Sequence, residues 1–202
     1  MQYHGGEGGA PPKKYHLVAL AASAGGLSAL ATVLGRLPRS FPLPVAIVQH
    51  IDPNKESLMA SILGRRTALH VQQAVDSDSM SVGHVYVAPP GMHMVICPGN
   101  AIHLTHSAPV HFVRPSADLL FESAARSSGA VIAVVLTGNG MDGAAGAAVV
   151  RSAGGLVIAQ DQATSAFFGM PHAAIISGVV DFVLPLEEIG PALIDLAGSK
   201  PL

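Results

Sequence analysis

Three stretches of this chain are apolar at nearly every position and then stop at a polar residue. Leu17 to Ala22 ends at Ser23, Val45 to Val48 ends at Gln49 and His50, and Val131 to Leu136 ends at Thr137 and the turn that carries Asp142. A strand with one wet face alternates apolar and polar side chains, so runs without alternation read as strands covered on both faces. Such strands belong to parallel sheets with helices above and below. The composition agrees, because 50 % of residues are apolar and only 12 % charged, with Ala, Val, Leu and Ile supplying the excess and aromatics only 4 %. If the three runs lie parallel, Ser23, His50 and Asp142 fall on the carboxyl edge of one sheet, where open α/β folds bind ligands.

The rest of the 202 residues can be ordered around those runs. Residues 1 to 14 carry four glycines and two prolines with no apolar periodicity, which predicts a disordered tail before a single domain over 15–202. Strand, helix, strand and helix are expected at 16 to 22, 26 to 36, 44 to 49 and from Pro53 to Arg65. Short strands are expected near 69 to 75, 84 to 88, 92 to 97 and 101 to 105, the last two joined across Pro98, Gly99 and Asn100 as a hairpin. A helix beginning near Pro115 precedes the strand at 131 to 137. A Gly- and Ala-rich helix follows Asp142, with strands at 155 to 159 and 180 to 184 and a terminal helix from Leu186 to Leu196. The fold class is therefore α/β: a doubly wound, three-layer (αβα), mostly parallel sheet with a β-hairpin extension.

Composition also excludes function classes. The formal charge is −2 and the Lys and Arg residues form no stripe, which removes the electrostatic footprint of a nucleic-acid binder. No apolar stretch approaches the roughly 18 residues of a membrane span, and no basic amphipathic helix suggests a membrane surface. Lys13 and Lys14 before the first apolar run imitate a signal peptide, but that run is short and a Gly/Pro-rich segment precedes it. The lone Cys97 reads as a small hydrophobe in a strand.

A hydroxyl, an imidazole and a carboxylate on one sheet edge are the parts of a serine hydrolase. Ser23 would be the nucleophile, His50 the base that takes its proton, and Asp142 the group that fixes the tautomer of the ring. Each has a plainer reading: Ser23 and Asp142 as helix caps, His50 as an idle strand-end histidine. Gly25 and Gly26 would turn the chain after Ser23, and Gly138 and Gly140 would do so in the second loop, which Met141 closes. Backbone amides near Ala24 and Asn139 are the expected oxyanion donors. The glycine-rich turn after Ser23 lacks the spacing of a nucleotide-binding loop. Arg114, just ahead of a helix, is expected to order loops or grip a carboxylate. Five histidines, His84, His93, His103, His106 and His111, invite a metal reading, but no Cys or carboxylate stands at ligand spacing, so neither metal nor cofactor is expected.

Several motifs in order then resemble the catalytic domain of the chemoreceptor protein-glutamate methylesterases, the CheB type. They are the Ser23 turn, Gln49-His50 followed by Ile51-Asp52-Pro53, the segment from Gly83 to Met94, Arg114-Pro115-Ser116-Ala117-Asp118, the stretch from Leu136 through Asp142 to Gly146, and the stretch from Ala159 to Pro171. The resemblance implies a triad of Ser23, His50 and Asp142 and hydrolysis of glutamyl γ-methyl esters on the cytoplasmic helices of chemoreceptors, with methanol released. In some members it implies deamidation of receptor glutamines as well. It implies a cytoplasmic location and no cofactor; most relatives carry a receiver domain that a 14-residue tail cannot be, which leaves open a fragment of a longer chain, a stand-alone form under a separate regulator protein, or one under no control. The chain departs from the family pattern at Ala24, where Thr is usual, at Asn139, where Met is usual, and at Val113, where His is usual. The altered nucleophile loop keeps open a catalytically weak receptor-binding module, and because a docking surface for a helical bundle leaves no short motif, a methylesterase for a non-chemotactic receptor-like protein stays open as well.

Overall fold

The computed structural model describes residues 15–53 and 56–198. The first apolar run becomes β1 (Leu17–Ala22), the second β2 (Val45–Gln49), and every residue of both is buried. Val18 lies opposite Val45 and Ala22 opposite Gln49, in parallel. On the other flank of β1, Leu17 pairs with Val131 at the start of β7 (Val131–Val135). Outside these run β3 (His70–Gln73) and β4 (His84–Val87) on one side, and β8 (Leu156–Gln160) and β9 (Phe182–Leu184) on the other. The order across the sheet is β3-β4-β2-β1-β7-β8-β9, with every pairing parallel.

Alternate side chains of β1 enter different cores. Val18, Leu20 and Ala22 pack with the buried residues of α1 (Gly26–Arg36), α2 (Met59–Gly64) and α6 (Leu186–Leu196). Leu17, Ala19 and Ala21 pack with α3 (Ala117–Ser128), α4 (Ala144–Ser152) and α5 (Gly169–Ile176). This is the three-layer α/β arrangement that the unalternating runs require. Helix α1 shows the complementary period, burying Gly26, Ala29, Leu30, Val33 and Leu34 along one stripe.

The hairpin extension is β5 (His93–Cys97) paired antiparallel with β6 (Ala101–Thr105). It turns through Gly99 and Asn100, both in the left-handed region at φ 76° and 59°. Met94, Ile96 and Ile102 join the core beneath α3. There α3 substitutes for a neighbouring strand: Ser123 Oγ accepts from the Ile96 amide at 3.0 Å and Ser127 Oγ donates to the Ile96 carbonyl at 2.8 Å.

Two elements differ from expectation. Helix α2 starts at Met59 rather than just after Pro53, and Ser57 Oγ accepts from the Met59 amide at its entry. Helix α5 was not foreseen, because its apolar residues lie all round and give no stripe; it buries Met170, Pro171 and Ala174. The expected tail of residues 1–14 lies outside the described residues.

Candidate active site

Winding proceeds outward from β1 through β2 and from β7 through β8, so the order reverses between β1 and β7. The loops after these strands meet at that reversal, the place where doubly wound sheets form a crevice. Ser23 leaves β1 with its amide donating to the Thr137 carbonyl of the β7 loop at 3.0 Å. On the other side the His50 amide donates to the Ala22 carbonyl at 3.1 Å. The parallel register therefore seats Ser23 between the His50 and Thr137 segments.

Asp142 arrives from the β7 loop and is 3 % exposed. Its Oδ2 lies 2.7 Å from His50 Nε2 and accepts the Ala117 amide at 2.6 Å, while Oδ1 accepts Ser116 Oγ at 2.8 Å and the Asp118 amide at 3.1 Å. Burial opposes its charge, but the bonds from His50, Ala117, Ser116 and Asp118 outweigh burial and hold the carboxyl below the ordinary range. An ionised Asp142 can only accept, so His50 carries its proton on Nε2 and Nδ1 is the nitrogen left for Ser23. No hydrogen bond joins Ser23 Oγ to the ring among the described residues. Catalytic contacts in an empty site are often long and close when substrate binds.

Asp142 does cap a helix, but not the one that follows it. Its carboxylate covers the first amides of α3, and Asp118 in the first turn of α3 returns the favour to α4: Oδ1 accepts the Gly143 amide at 2.9 Å and the Gly146 amide at 2.7 Å. Two helix N-termini thus exchange anions. Burial pushes the Asp118 carboxyl up against the pull of those amides, and the Asp142 charge adds to the push. Its Oδ2 has no hydrogen-bond partner among the described residues, and His111 Nε2 stands 3.3 Å away.

The serine turn is tight. Gly25 takes a left-handed φ of 79° and is itself the N-cap of α1, so Ser23 does not cap that helix. A Cβ at Gly138 would stand 2.7 Å from Ser23 Cβ and 2.4 Å from Met170 Sδ, so only glycine lets the second loop come this close. The Gly26 and Gly138 amides are committed, to the Ser23 and Phe167 carbonyls at 2.9 Å each. The Ala24 and Asn139 amides have no partner among the described residues. Gln49, which residue-type reasoning passed over, bridges the two chemical residues from below: its buried Nε2 donates to the Ser23 carbonyl at 2.7 Å and the His50 carbonyl at 3.0 Å.

Beside His50 and Asp142 opens a cleft of about 230 Å³ that is also lined by Phe112, Val113, Asn139 and Met141. Gly140, at φ 89°, forms part of its wall, and Phe112 and Met141 are exposed at its mouth. Arg114 does not point a free guanidinium into it: Nη1 donates to the His106 and Ser107 carbonyls at 2.9 Å each, so this arginine orders the 106–114 loop. The five histidines scatter. His103 pairs with Asp76, His84 packs on His70 and Tyr86, His93 is buried, and no group of three metal-donor residues converges among the described residues.

Residues 18–193 match the family model for the CheB methylesterase. The chain belongs to the CheB methylesterase family. It is 45 % identical to the protein-glutamate methylesterase FrzG of Myxococcus xanthus over 184 residues, covering 91 % of this chain and 55 % of that one. It is 41 % identical to a protein-glutamate methylesterase/protein-glutamine glutaminase of Caulobacter vibrioides, covering 94 % and 56 %. The chain thus spans about half the length of the curated relatives it matches. Its fold superposes on the Thermotoga maritima CheB methylesterase catalytic domain with a TM-score of 0.87 at 36 % identity, covering 91 % of this chain and 100 % of that one. As a CheB-family domain, it has the seven-strand parallel sheet flanked by helices. No helix among the described residues is long and apolar enough to cross a membrane.

Proposed function

We propose that this chain is a protein-glutamate methylesterase whose catalytic unit is the domain of residues 15–202. It removes methyl groups from glutamate γ-methyl esters of chemoreceptor cytoplasmic helices, and by the same chemistry deamidates receptor glutamines. The observation that carries the reading is the buried His50–Asp142 contact of 2.7 Å at the sheet edge where Ser23 emerges. In this reading Ser23 Oγ attacks the ester carbonyl and passes its proton to His50 Nδ1, while Asp142 steadies the imidazolium through Nε2. The oxyanion is received by the Ala24 and Asn139 amides. Both donors are backbone, so the Ala and Asn at positions where the family usually has Thr and Met need not abolish them. His50 then protonates the leaving methoxide, methanol departs, and water admitted to the same base hydrolyses the acyl-enzyme. Such an enzyme works in the cytoplasm on receptor helices.

The test is methanol release from methylated chemoreceptor membranes, with Ser23→Ala in parallel. Release by the wild type that falls by 10³-fold or more, on the order expected for loss of a nucleophile, supports the reading. Equal release from both proteins would overturn it.

A further inference from the structure

His93 opens β5 and is completely buried, yet the reaction above does not use it. Its Nδ1 accepts the Ser116 amide at 3.1 Å, and its Nε2 faces the Ala108 carbonyl at 3.1 Å. An amide only donates and a carbonyl only accepts, so the two bonds fix a neutral ring with its proton on Nε2. Ser116 is the residue before α3, fully buried, and its hydroxyl donates to Asp142 Oδ1 at 2.8 Å. An unbroken path of polar contacts therefore runs from the hairpin extension through Ser116 and Asp142 to His50.

We propose that His93 is a positioning residue for the triad: its neutral ring fixes the N-terminal turn of α3 at the height from which Ser116, Ala117 and Asp118 hold the Asp142 carboxylate against His50. This rests on the reading of Ser23, His50 and Asp142 given above. A proton added at Nδ1 would set donor against donor at Ser116 and open the strap. Burial keeps the ring neutral and Arg114, from the loop before α3, works in the same direction; the Ala108 carbonyl and then Asp142, from the loop before α4, work against it. Protonation of His93 should accordingly add a step to the acid side of the rate profile and make that limb steeper than a single titration allows.

His93→Asn and His93→Gln separate the two contacts, because the Asn Oδ1 can replace Nδ1 as acceptor for Ser116, whereas Gln reaches toward Ala108 and leaves the Ser116 amide without one. The expected outcome for methanol release is kcat within about threefold of wild type for Asn and a loss of about tenfold or more for Gln, KM unchanged in both. The acid limb of His93→Asn should fall to the slope of one titration. Independently of turnover, ¹⁵N NMR should find the His93 proton on Nε2, and the low-field His50 Nε2 proton held by Asp142 should vanish in His93→Gln. A folded Gln variant with wild-type kcat, acid slope and His50 signal would overturn the proposal, as would a His93 proton on Nδ1. If the wild type releases no methanol, the methylesterase reading fails, and the two NMR signals still decide whether His93 holds the Asp142 contact.

Discussion

At the residue scale, the proposed chemistry rests on a carboxylate that is satisfied from several directions at once. Asp142 is held by four donors, so its position is over-determined while its charge stays available to His50. Asp142→Asn keeps the size but sets an amide where Oδ2 now accepts from both the ring and the Ala117 N–H. Its methanol release should fall on the order of 10⁴-fold, from the wrong imidazole tautomer. A drop of less than tenfold would show that His50 does not need this carboxylate. Gln49 ties the same loops from below through its Nε2, while its own buried Oε1 has no hydrogen-bond partner among the described residues. Gln49→Leu leaves the Ser23 and His50 carbonyls without that donor in a buried place, which should cost about 1–3 kcal/mol in denaturant unfolding. The accompanying loss should appear in kcat more than in KM, because the residue touches no substrate. Ser23, His50 and Asp142 stand out in the sequence as chemical residues at the ends of apolar runs. Gln49, Ser116 and Asp118 do not, since a polar residue beside a turn is ordinary until its distant partner is known.

At the element scale, the decisive contact is the crossing of α3 and α4, whose N-termini trade the carboxylates of Asp142 and Asp118. The crossing is close because Gly146 faces α3: an added Cβ would stand 2.7 Å from the Asp118 carbonyl oxygen and 2.8 Å from Phe121 Cβ. Alanine would gain about 1 kcal/mol of helix propensity at this position. Overpacking against a backbone oxygen costs about 1–3 kcal/mol, and the helices must also part enough to lengthen both caps. Gly146→Ala should therefore lower the denaturation midpoint and reduce turnover together; a rise in stability would mean that the crossing yields more easily than the contacts imply. Helix α1 shows its stripe in the sequence, whereas α5 has apolar residues all round and shows none, so no helix is assigned there from the sequence.

At the scale of the whole molecule, two buried carboxylates pull stability in opposite directions with pH. Asp142 binds its proton less tightly folded than unfolded, so it favours the fold above the ordinary carboxylate range, and that contribution is lost as pH falls through its depressed folded pKa. Asp118 binds its proton more tightly folded, so its contribution is present below the unfolded pKa and is lost as pH rises through the raised folded value. Asp118→Asn keeps an acceptor for the Gly143 and Gly146 amides and removes the titration. The difference in Tm, variant minus wild type, should grow from pH 4 to pH 8, and a constant difference would mean that Asp118 does not carry its raised pKa. The amino-acid sequence alone determined the α/β class, the parallel sheet and the sheet edge on which Ser23, His50 and Asp142 would stand, because apolar runs, helical stripes and turn residues are local properties. Only the tertiary structure decided which N-terminus each carboxylate caps, that His93 reaches Ser116, that Gln49 ties Ser23 to His50, and that Arg114 serves its own loop. Most of those partners lie more than 20 residues apart in the chain, and a hydrogen bond of that kind exists only once helix crossings and strand order have set the distance between its ends.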